Sequence, residues 1–176
     1  MSKAFTKDEG AASEPVLVPP RAPLPDGVPN YVTARGLQLL RTELAELDAE
    51  RTRTEAEPDE EARRRGLAVL QARRAELDAR LRSAVLVDLA AQPRSEVRFG
   101  AEVTVRTAAG AQRTYAIVGV DEARAGAGSD RNRIAFTAPL ARALLGRRVG
   151  DLCTVRTPRG EEELEILAVA YAPDLA

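Results

Sequence analysis

The fold is decided by the stretch ARGLQLLRTELAELDAERTR, residues 34–53, which directly follows Thr33. A threonine hydroxyl can accept a hydrogen bond from a backbone N–H of the first helical turn, so Thr33 suits a helix N-cap. Leucines then recur at the 3-4-3 spacing typical of the a and d positions of a coiled coil, at Leu37, Leu40, Leu44 and Leu47. We predict a first helical arm of about 23 residues, which would extend about 35 Å.

A second leucine run follows, and it keeps the same seam if Arg74 takes one inward position: Leu67, Leu70, Leu77 and Leu81. The first arm becomes acidic toward its end, whereas the second arm is rich in arginine. Antiparallel pairing sets these opposite charges against each other. Each exposed pair contributes only ~0.2–1 kcal/mol, but the pattern disfavours parallel self-pairing of either arm. The sequence therefore predicts an intramolecular antiparallel hairpin in a monomeric protein.

The predicted hairpin turns within TEAEPDEEARRRG, residues 54–66, where five carboxylates precede three arginines. In one interpretation this is only a helix start. Pro58 then occupies the first turn of the second helix, and the acidic side chains after it offset the helix dipole by ~0.3–1 kcal/mol each. In the other, the turn supplies ligands to a divalent metal ion, because Mg²⁺ needs only one or two protein carboxylates. The candidate ligands are Glu57, Asp59, Glu60 and Glu61.

The C-terminal half changes to a hydrophobic period of two. Its alternating or short apolar runs predict strands in EVRFGAEVTVRT, QRTYAIVGV, RIAFT, DLCTVRTP and EELEILAVAY. One short helix, APLARALLG, is predicted between them, because Pro139 suits a first turn and Gly146 suits a helix stop. The segment EARAGAGSDRN is predicted to be a loop. The pattern as a whole indicates a compact α+β domain.

The N-terminal residues are rich in proline: residues 1–30 hold six of the eleven prolines in the chain. Proline removes backbone donors, and nothing in this segment repeats at a helical or strand period, so we predict a disordered Pro-rich tail. The expected organisation is this tail over residues 1–30, the coiled-coil hairpin over residues 31–90 with its tip near residues 55–66, and the α+β domain over residues 91–176.

The composition excludes several functional classes. Lys and Arg number 26 against 27 Asp and Glu, so no overall field draws the chain to nucleic acid. The absence of His excludes His-based metal sites and catalysis, and an aromatic content of 3% disfavours a base-stacking platform. The lone Cys153 lies in an apolar strand pattern and is predicted to be a core residue. With no apolar signal core and no run of membrane-spanning length, we expect a cytoplasmic protein without membrane contact.

A leucine-seamed hairpin followed by FGAEVTV, YAIVGVDEA and TAPLARALLGRRVGDLCTVRTPRGEEELEILAVAY resembles the bacterial Gre family of transcript cleavage factors, GreA and GreB. The resemblance runs in order from Tyr31 to Pro173, and its C-terminal stretch is nearest to GreB. It implies an FKBP-like C-terminal domain that docks at the rim of the secondary channel of RNA polymerase, and a coiled coil that enters the channel. Two carboxylates at the coil tip then help to retain a second Mg²⁺ in the polymerase active centre, which hydrolyses backtracked RNA by two-metal chemistry.

The resemblance also implies where the docking residues lie. In the family, Asp or Asn and then Ser precede a proline that opens a short helix. The corresponding positions in this chain are Thr137, Ala138 and Pro139, and Arg142 follows one turn further on. The tip departs from the family pattern of Gly-Asp-x-Ser-Glu-Asn-Ala-Asp/Glu-Tyr, which this sequence lacks. Each arm is also shorter than the family pattern by roughly two turns, or about 10 Å of reach.

We therefore predict a Gre-like regulator of transcription elongation that binds RNA polymerase, with weak or no stimulation of cleavage. Such a protein is an accessory factor rather than an enzyme, and it meets nucleic acid only indirectly, within the elongation complex. It binds no cofactor stably, and the relevant Mg²⁺ belongs to the polymerase active centre.

Three alternatives to this prediction differ in function. One is an active cleavage factor that uses the tip carboxylates, and another is a coiled-coil adaptor that does not act on polymerase. The third, a peptidyl-prolyl isomerase, would need an aromatic-lined pocket. The aromatic residues of the C-terminal half fall mostly at strand positions that suit a core: Phe99, Tyr115, Phe136 and Tyr171.

Overall fold

The computed structural model describes residues 21–126, 132–157 and 160–171. The elements in chain order are β1 (Asn30–Val32), α1 (Ala34–Glu55), α2 (Glu60–Ser83), β2 (Ala84–Leu86), β3 (Glu102–Thr107), β4 (Gln112–Val118), α3 (Val120–Gly126), β5 (Arg133–Ala135), α4 (Pro139–Leu144), β6 (Leu152–Thr157) and β7 (Gly160–Ala170). The predicted α+β class, with an N-terminal helical hairpin, is confirmed. None of the helices within these residues is both long and apolar enough to span a membrane.

The helical hairpin consists of α1 and α2. Thr33 caps α1, because its Oγ1 accepts a hydrogen bond from the Gly36 amide at 2.9 Å. The helix contains 22 residues, so it is about 33 Å long. The leucines of the predicted seam lie between the two helices. Four of them are buried and four are half-buried: Leu40, Leu47, Leu70 and Leu77 in the first group, and Leu37, Leu44, Leu67 and Leu81 in the second.

Ion pairs join the two arms along the edge of the seam. Arg73 lies 3.4 Å from Glu50, and Arg74 pairs with Asp48 of the opposite arm and, at 3.6 Å, with Asp78 of its own helix. The side chain of Arg74 is 39% exposed, so it lies over the edge of the leucine seam and does not take the predicted inward position. The opposed charges of the two arms therefore meet as the sequence predicts.

The C-terminal domain is built on a five-stranded sheet in the order β5-β4-β3-β7-β6. All neighbouring strands are antiparallel except β4 and β5, which are parallel and joined through α3. The core of the domain lies on one face of this sheet, with side chains that are completely inaccessible to solvent at Val97, Val103, Val105, Ile117, Leu144 and Ile166. The strands that the alternating pattern predicts are all present.

The N-terminal segment differs from the predicted tail. Residues 21–30 pack against the domain, with Ala22, Leu24 and Val28 on its core, and the chain then forms β1, which pairs in parallel with β2 at the base of the hairpin. The segment is stabilised because these apolar side chains are removed from water when they pack on the domain. The prolines lack backbone N–H groups, but the contacts are made by side chains and do not require those donors. The prediction of a tail reaching residue 30 is therefore wrong for this part, while residues 1–20 lie outside the described residues.

The helix α3 replaces the first half of the predicted loop. Asp121 and Glu122 lie in its first turn, where acidic side chains complement the helix dipole. The carboxylate of Glu122 is 1% exposed and accepts hydrogen bonds from Arg133 at 2.7 Å and from the Thr33 hydroxyl at 2.6 Å. Because Thr33 also caps α1, this buried carboxylate fastens the start of the hairpin to the domain. The remainder of the predicted loop includes residues 127–131, which lie outside the described residues.

A second group of charges joins the same parts of the chain, and we name Arg21, Glu43, Arg80 and Asp121 the junction cluster. Arg21 pairs with Glu43 of α1 and lies 2.9 Å from Asp121 of α3. Arg80 of α2 lies 3.3 Å from Asp121 and also donates to the carbonyl of Ala22. The side chains of both arginines and Asp121 are at most 13% exposed. The N-terminal segment, both arms of the hairpin and the domain therefore meet in one ion-pair network.

Candidate functional site

The hairpin tip is a short turn between α1 and α2, and its acidic groups are engaged in local structure. Asp59 is the N-cap of α2, because its Oδ1 accepts hydrogen bonds from the amides of Glu61 at 2.9 Å and Ala62 at 3.2 Å. The Glu61 carboxylate pairs with Arg65 at 2.8 Å. Glu57 accepts a long bond from the Asp59 amide at 3.4 Å. Three of the four candidate metal ligands are thus engaged in local contacts, and the Asp59 cap is the contact that starts α2.

The arrangement of the tip does not form a preorganised metal centre. Within the described residues no group of three or more acidic or Cys side chains is placed to hold a metal ion. Glu60 is the candidate ligand whose side chain has no bonded partner in this part of the chain. Pro58 precedes the N-cap instead of occupying the first turn, because Asp59 has the extended backbone of a cap. The helix-start interpretation of this stretch therefore describes the local structure, with its N-cap one position after the proline.

Replacing Asp59 by alanine should destabilise the protein by about 1 kcal/mol, because two amides of α2 lose their acceptor. Asp59→Asn should retain most of the stability, since asparagine is an equally good N-cap. Urea unfolding followed by helical circular dichroism measures both variants, and Glu60→Ala serves as the control at a neighbouring carboxylate that caps nothing. An equal loss for Asp59→Ala and Glu60→Ala would contradict the capping role.

The predicted docking residues come together at the start of α4. Ala138 is the N-cap residue, Pro139 is exposed in the first turn, and Thr137 is half-buried just before them. Arg142 is exposed one turn further on. The opposite side of α4 is fixed, because Ala141 and Leu144 are completely buried against the sheet. The four residues therefore form one surface on a rigid support, and their docking role stays a prediction.

In the part of the chain that the structure describes, three aromatic rings pack together. Tyr31, Phe99 and Phe136 pack on one another with ring centroids 5.6–5.8 Å apart. The hydroxyl of Tyr171 donates to the Glu96 carbonyl at 3.0 Å and accepts from the Arg98 amide at 3.2 Å. A cavity of about 640 Å³ between the hairpin and α3 is lined by aliphatic and charged side chains. These rings serve as packing residues, which gives no support to the isomerase alternative.

Cys153 lies on β6 and is 4% exposed, in agreement with its predicted place in the core. Burial raises the pKa of the Cys153 thiol, and nearby Arg147 acts in the opposite direction. A thiol with a raised pKa is protonated at neutral pH and is a poor nucleophile. The cysteine therefore provides packing rather than chemistry.

Sequence reasoning missed the buried contact of Glu122. The sequence shows only a glutamate at the start of a glycine-rich segment, and its partners Arg133 and Thr33 lie 11 and 89 residues away. The acidic pair of Asp121 and Glu122 after an apolar strand is a signal for a helix start, and it could have indicated α3.

The chain is similar to known proteins over most of its length. The family model described as "Transcription elongation factor, GreA/GreB, C-term" matches residues 92–171. The transcription elongation factor GreA of Methylococcus capsulatus is 35% identical over 156 residues, which cover 80% of this chain and 96% of that protein. GreA of Alkalilimnicola ehrlichii is 35% identical over 157 residues, covering 80% and 97% of the two chains. With GreA of Legionella pneumophila the identity is 42% over 98 residues, and the chain spans only 59% of that relative's length.

Two solved structures were also compared with the chain. The GreA factor homolog 1 (Gfh1) protein of Thermus thermophilus is 24% identical, covering 80% of this chain and 97% of that one, with a TM-score of 0.38. A GreA/GreB elongation factor from Nitrosomonas europaea is 22% identical, covering 80% and 98%, with a TM-score of 0.40.

Proposed function

Because the chain belongs to the GreA/GreB family of transcription elongation factors, we propose that it binds RNA polymerase at the secondary channel and stimulates transcript cleavage weakly or not at all. The domain would dock through the start of α4, and the hairpin would occupy the channel. In this role the protein is an accessory factor, and the chemistry belongs to the polymerase. The observation that carries the proposal is the engagement of the tip carboxylates in the local structure of the turn.

The tip residues fit poorly as ligands that complete a metal site in another protein. Mg²⁺ requires oxygen ligands at about 2.0–2.1 Å in nearly octahedral geometry, so a ligand must be free to reach the ion. Asp59 Oδ1 already accepts two backbone hydrogen bonds, and Glu61 is paired with Arg65. A metal bound through Asp59 Oδ1 would compete with the two backbone hydrogen bonds that start α2, whereas Glu61 would give up only an exposed ion pair. Glu57 and Glu60 could be redirected without disturbing the Asp59 cap.

The length of the hairpin supports the same proposal. The 22 residues of α1 give an arm of about 33 Å, close to the predicted length of about 35 Å. An arm of this length is shorter by about 10 Å than the family pattern indicates. A tip that ends short of the active centre occupies the channel but cannot place a carboxylate on the metal ion. Occupancy alone would hinder access by nucleotides or by other factors that enter the channel.

We expect little RNA cleavage above the level of polymerase alone when the protein is added to backtracked elongation complexes with Mg²⁺. A GreA protein added in parallel provides the positive control, and competition between the two tests occupancy of the channel. The matched variant is Glu57→Gln combined with Glu60→Gln, which removes two carboxylates and leaves the Asp59 cap intact. Strong stimulation by the unaltered chain that disappears in this variant would contradict the proposal and make the protein an active cleavage factor.

A further inference from the structure

The turn between α4 and β6 and the first residue of β6 expose apolar side chains beside arginines, and we name Arg147, Arg148, Val149 and Leu152 the basic turn. Val149 is 56% exposed and Leu152 is 55% exposed. Single exposed apolar residues are common on soluble proteins, but these two lie only three residues apart and beside exposed arginines. Neither residue contributes to the core of the domain, so packing within this chain does not account for them.

The backbone of the basic turn is held from both sides. The Gly146 amide donates to the Val97 carbonyl and the Val97 amide donates to the Arg147 carbonyl, each at 2.8 Å. At the other end, the Gly150 amide donates to the Ile166 carbonyl at 2.8 Å, and Gly150 has a φ of 90°, which favours glycine. A rigid turn loses little conformational entropy when a partner binds it.

A carboxylate further tightens the turn without neutralising its arginines. Asp151 Oδ2 accepts a hydrogen bond from the Arg148 amide at 2.8 Å, and the Asp151 amide donates to the Arg148 carbonyl at 3.0 Å. The carboxylate is therefore bonded to the backbone of Arg148 rather than to its guanidinium.

The arginines near the turn have no acidic partner within residues 21–126, 132–157 and 160–171. Arg142, Arg147 and Arg148 are exposed and form none of the ion pairs found there, whereas Arg106 and Arg156 on the neighbouring strands are paired with Glu165 and Glu161. The chain has a formal net charge of −1, so these three cations do not reflect a general excess of basic residues. An acidic partner would complement them.

We infer that the basic turn, together with Arg142, binds an acidic segment of RNA polymerase that carries exposed apolar side chains. This inference rests on the proposed function, and it extends the docking face beyond the start of α4. The helix α4 runs from Pro139 to Leu144 and is about 9 Å long, and the basic turn follows it after Leu145 and Gly146. In the proposed complex both parts contact the polymerase. Val149 and Leu152 would supply the buried apolar contact, and the arginines would steer the partner from the rim.

Binding of the full-length chain to core RNA polymerase, measured by titration at two salt concentrations, tests the inference. Val149→Ser combined with Leu152→Ser should weaken binding about tenfold or more, because contacts at the centre of an interface dominate the affinity. Arg147→Glu combined with Arg148→Glu should weaken binding by a similar factor and reduce its dependence on salt, whereas the double lysine variant should retain it. All these positions are exposed, so circular dichroism should show intact folding in each variant.

Two controls make the same chemical changes elsewhere on the surface. Leu86→Ser removes an apolar side chain that is 56% exposed on β2, and Arg113→Glu reverses an exposed arginine on β4. Both should bind like the unaltered chain. If the unaltered chain binds and the basic-turn variants keep its affinity to within about twofold, the inference is overturned and the proposed function stands. If the unaltered chain does not bind at micromolar concentration, both are overturned.

Discussion

Arg133→Met is expected to lower the free energy of unfolding by about 3–5 kcal/mol, because it removes the cation of a buried ion pair. The guanidinium of Arg133 is 8% exposed and lies 2.7 Å from the carboxylate of Glu122, which is 1% exposed. Without this guanidinium the carboxylate stays desolvated and keeps the hydroxyl of Thr33 as a donor. Guanidinium chloride unfolding of the purified variant measures the loss.

The matched control for Arg133 is an arginine whose pair is exposed. Arg106 lies near Glu165, and the two side chains are 46% and 33% exposed, so Arg106→Met should cost ~0.2–1 kcal/mol. Adding Glu122→Gln to Arg133→Met should recover part of the loss, since the amide removes the buried charge and still offers an acceptor to Thr33. A loss below about 1 kcal/mol for Arg133→Met alone would show that the pair does not hold the junction.

Leu77→Ala should destabilise the hairpin by about 2–5 kcal/mol, because Leu77 is completely buried between the two arms and its removal leaves a cavity. Leu67 is a half-buried seam residue near the tip, so Leu67→Ala should cost less. The smaller effect expected at Leu67 reflects the lower burial of this side chain compared with Leu77. Thermal unfolding followed by the helical circular dichroism signal measures both variants.

Leu39→Ala is the control for the seam substitutions. Leu39 lies on the same helix as Leu40 but is 37% exposed, so its truncation should change stability by well under half of the Leu77 effect. Equal losses for Leu39→Ala and Leu77→Ala would mean that the seam does not have the register described above.

The helices and strands were predictable because their signals are local. The 3-4-3 leucine spacing of α1 and the alternation of β3 each specify an element within a few residues. The segment from residue 21 to residue 30 was mispredicted because its contacts are remote. Arg21 reaches Asp121, which is 100 residues away in the chain. A proline-rich composition indicates that a segment forms little regular secondary structure. It does not indicate which surface the few apolar side chains of the segment will pack on.

The candidate site also has one part that neighbouring residues predict and one part that depends on contacts distant in the sequence. The acidic tip could be located from the sequence, and so could its role in starting a helix, because Asp59 caps amides only two and three residues away. The basic turn could not be located in this way. The local sequence RRVGDL does not indicate that Val149 and Leu152 are exposed. Their exposure depends on the backbone hydrogen bonds that join this turn to Val97 and Ile166.

The junction at the base of the hairpin gives the molecule the mechanics of a lever. An arm of about 33 Å that tilts by about 10° at its base moves its tip by about 6 Å, which exceeds the length of the carboxylate side chains at that tip. The angle of the arm is fixed by the contact of Thr33 with Glu122 and by the junction cluster, which includes Arg21 of the N-terminal segment. The direction in which the hairpin points is therefore set by contacts at its base. Residues that never approach the far end of the hairpin decide where that end points.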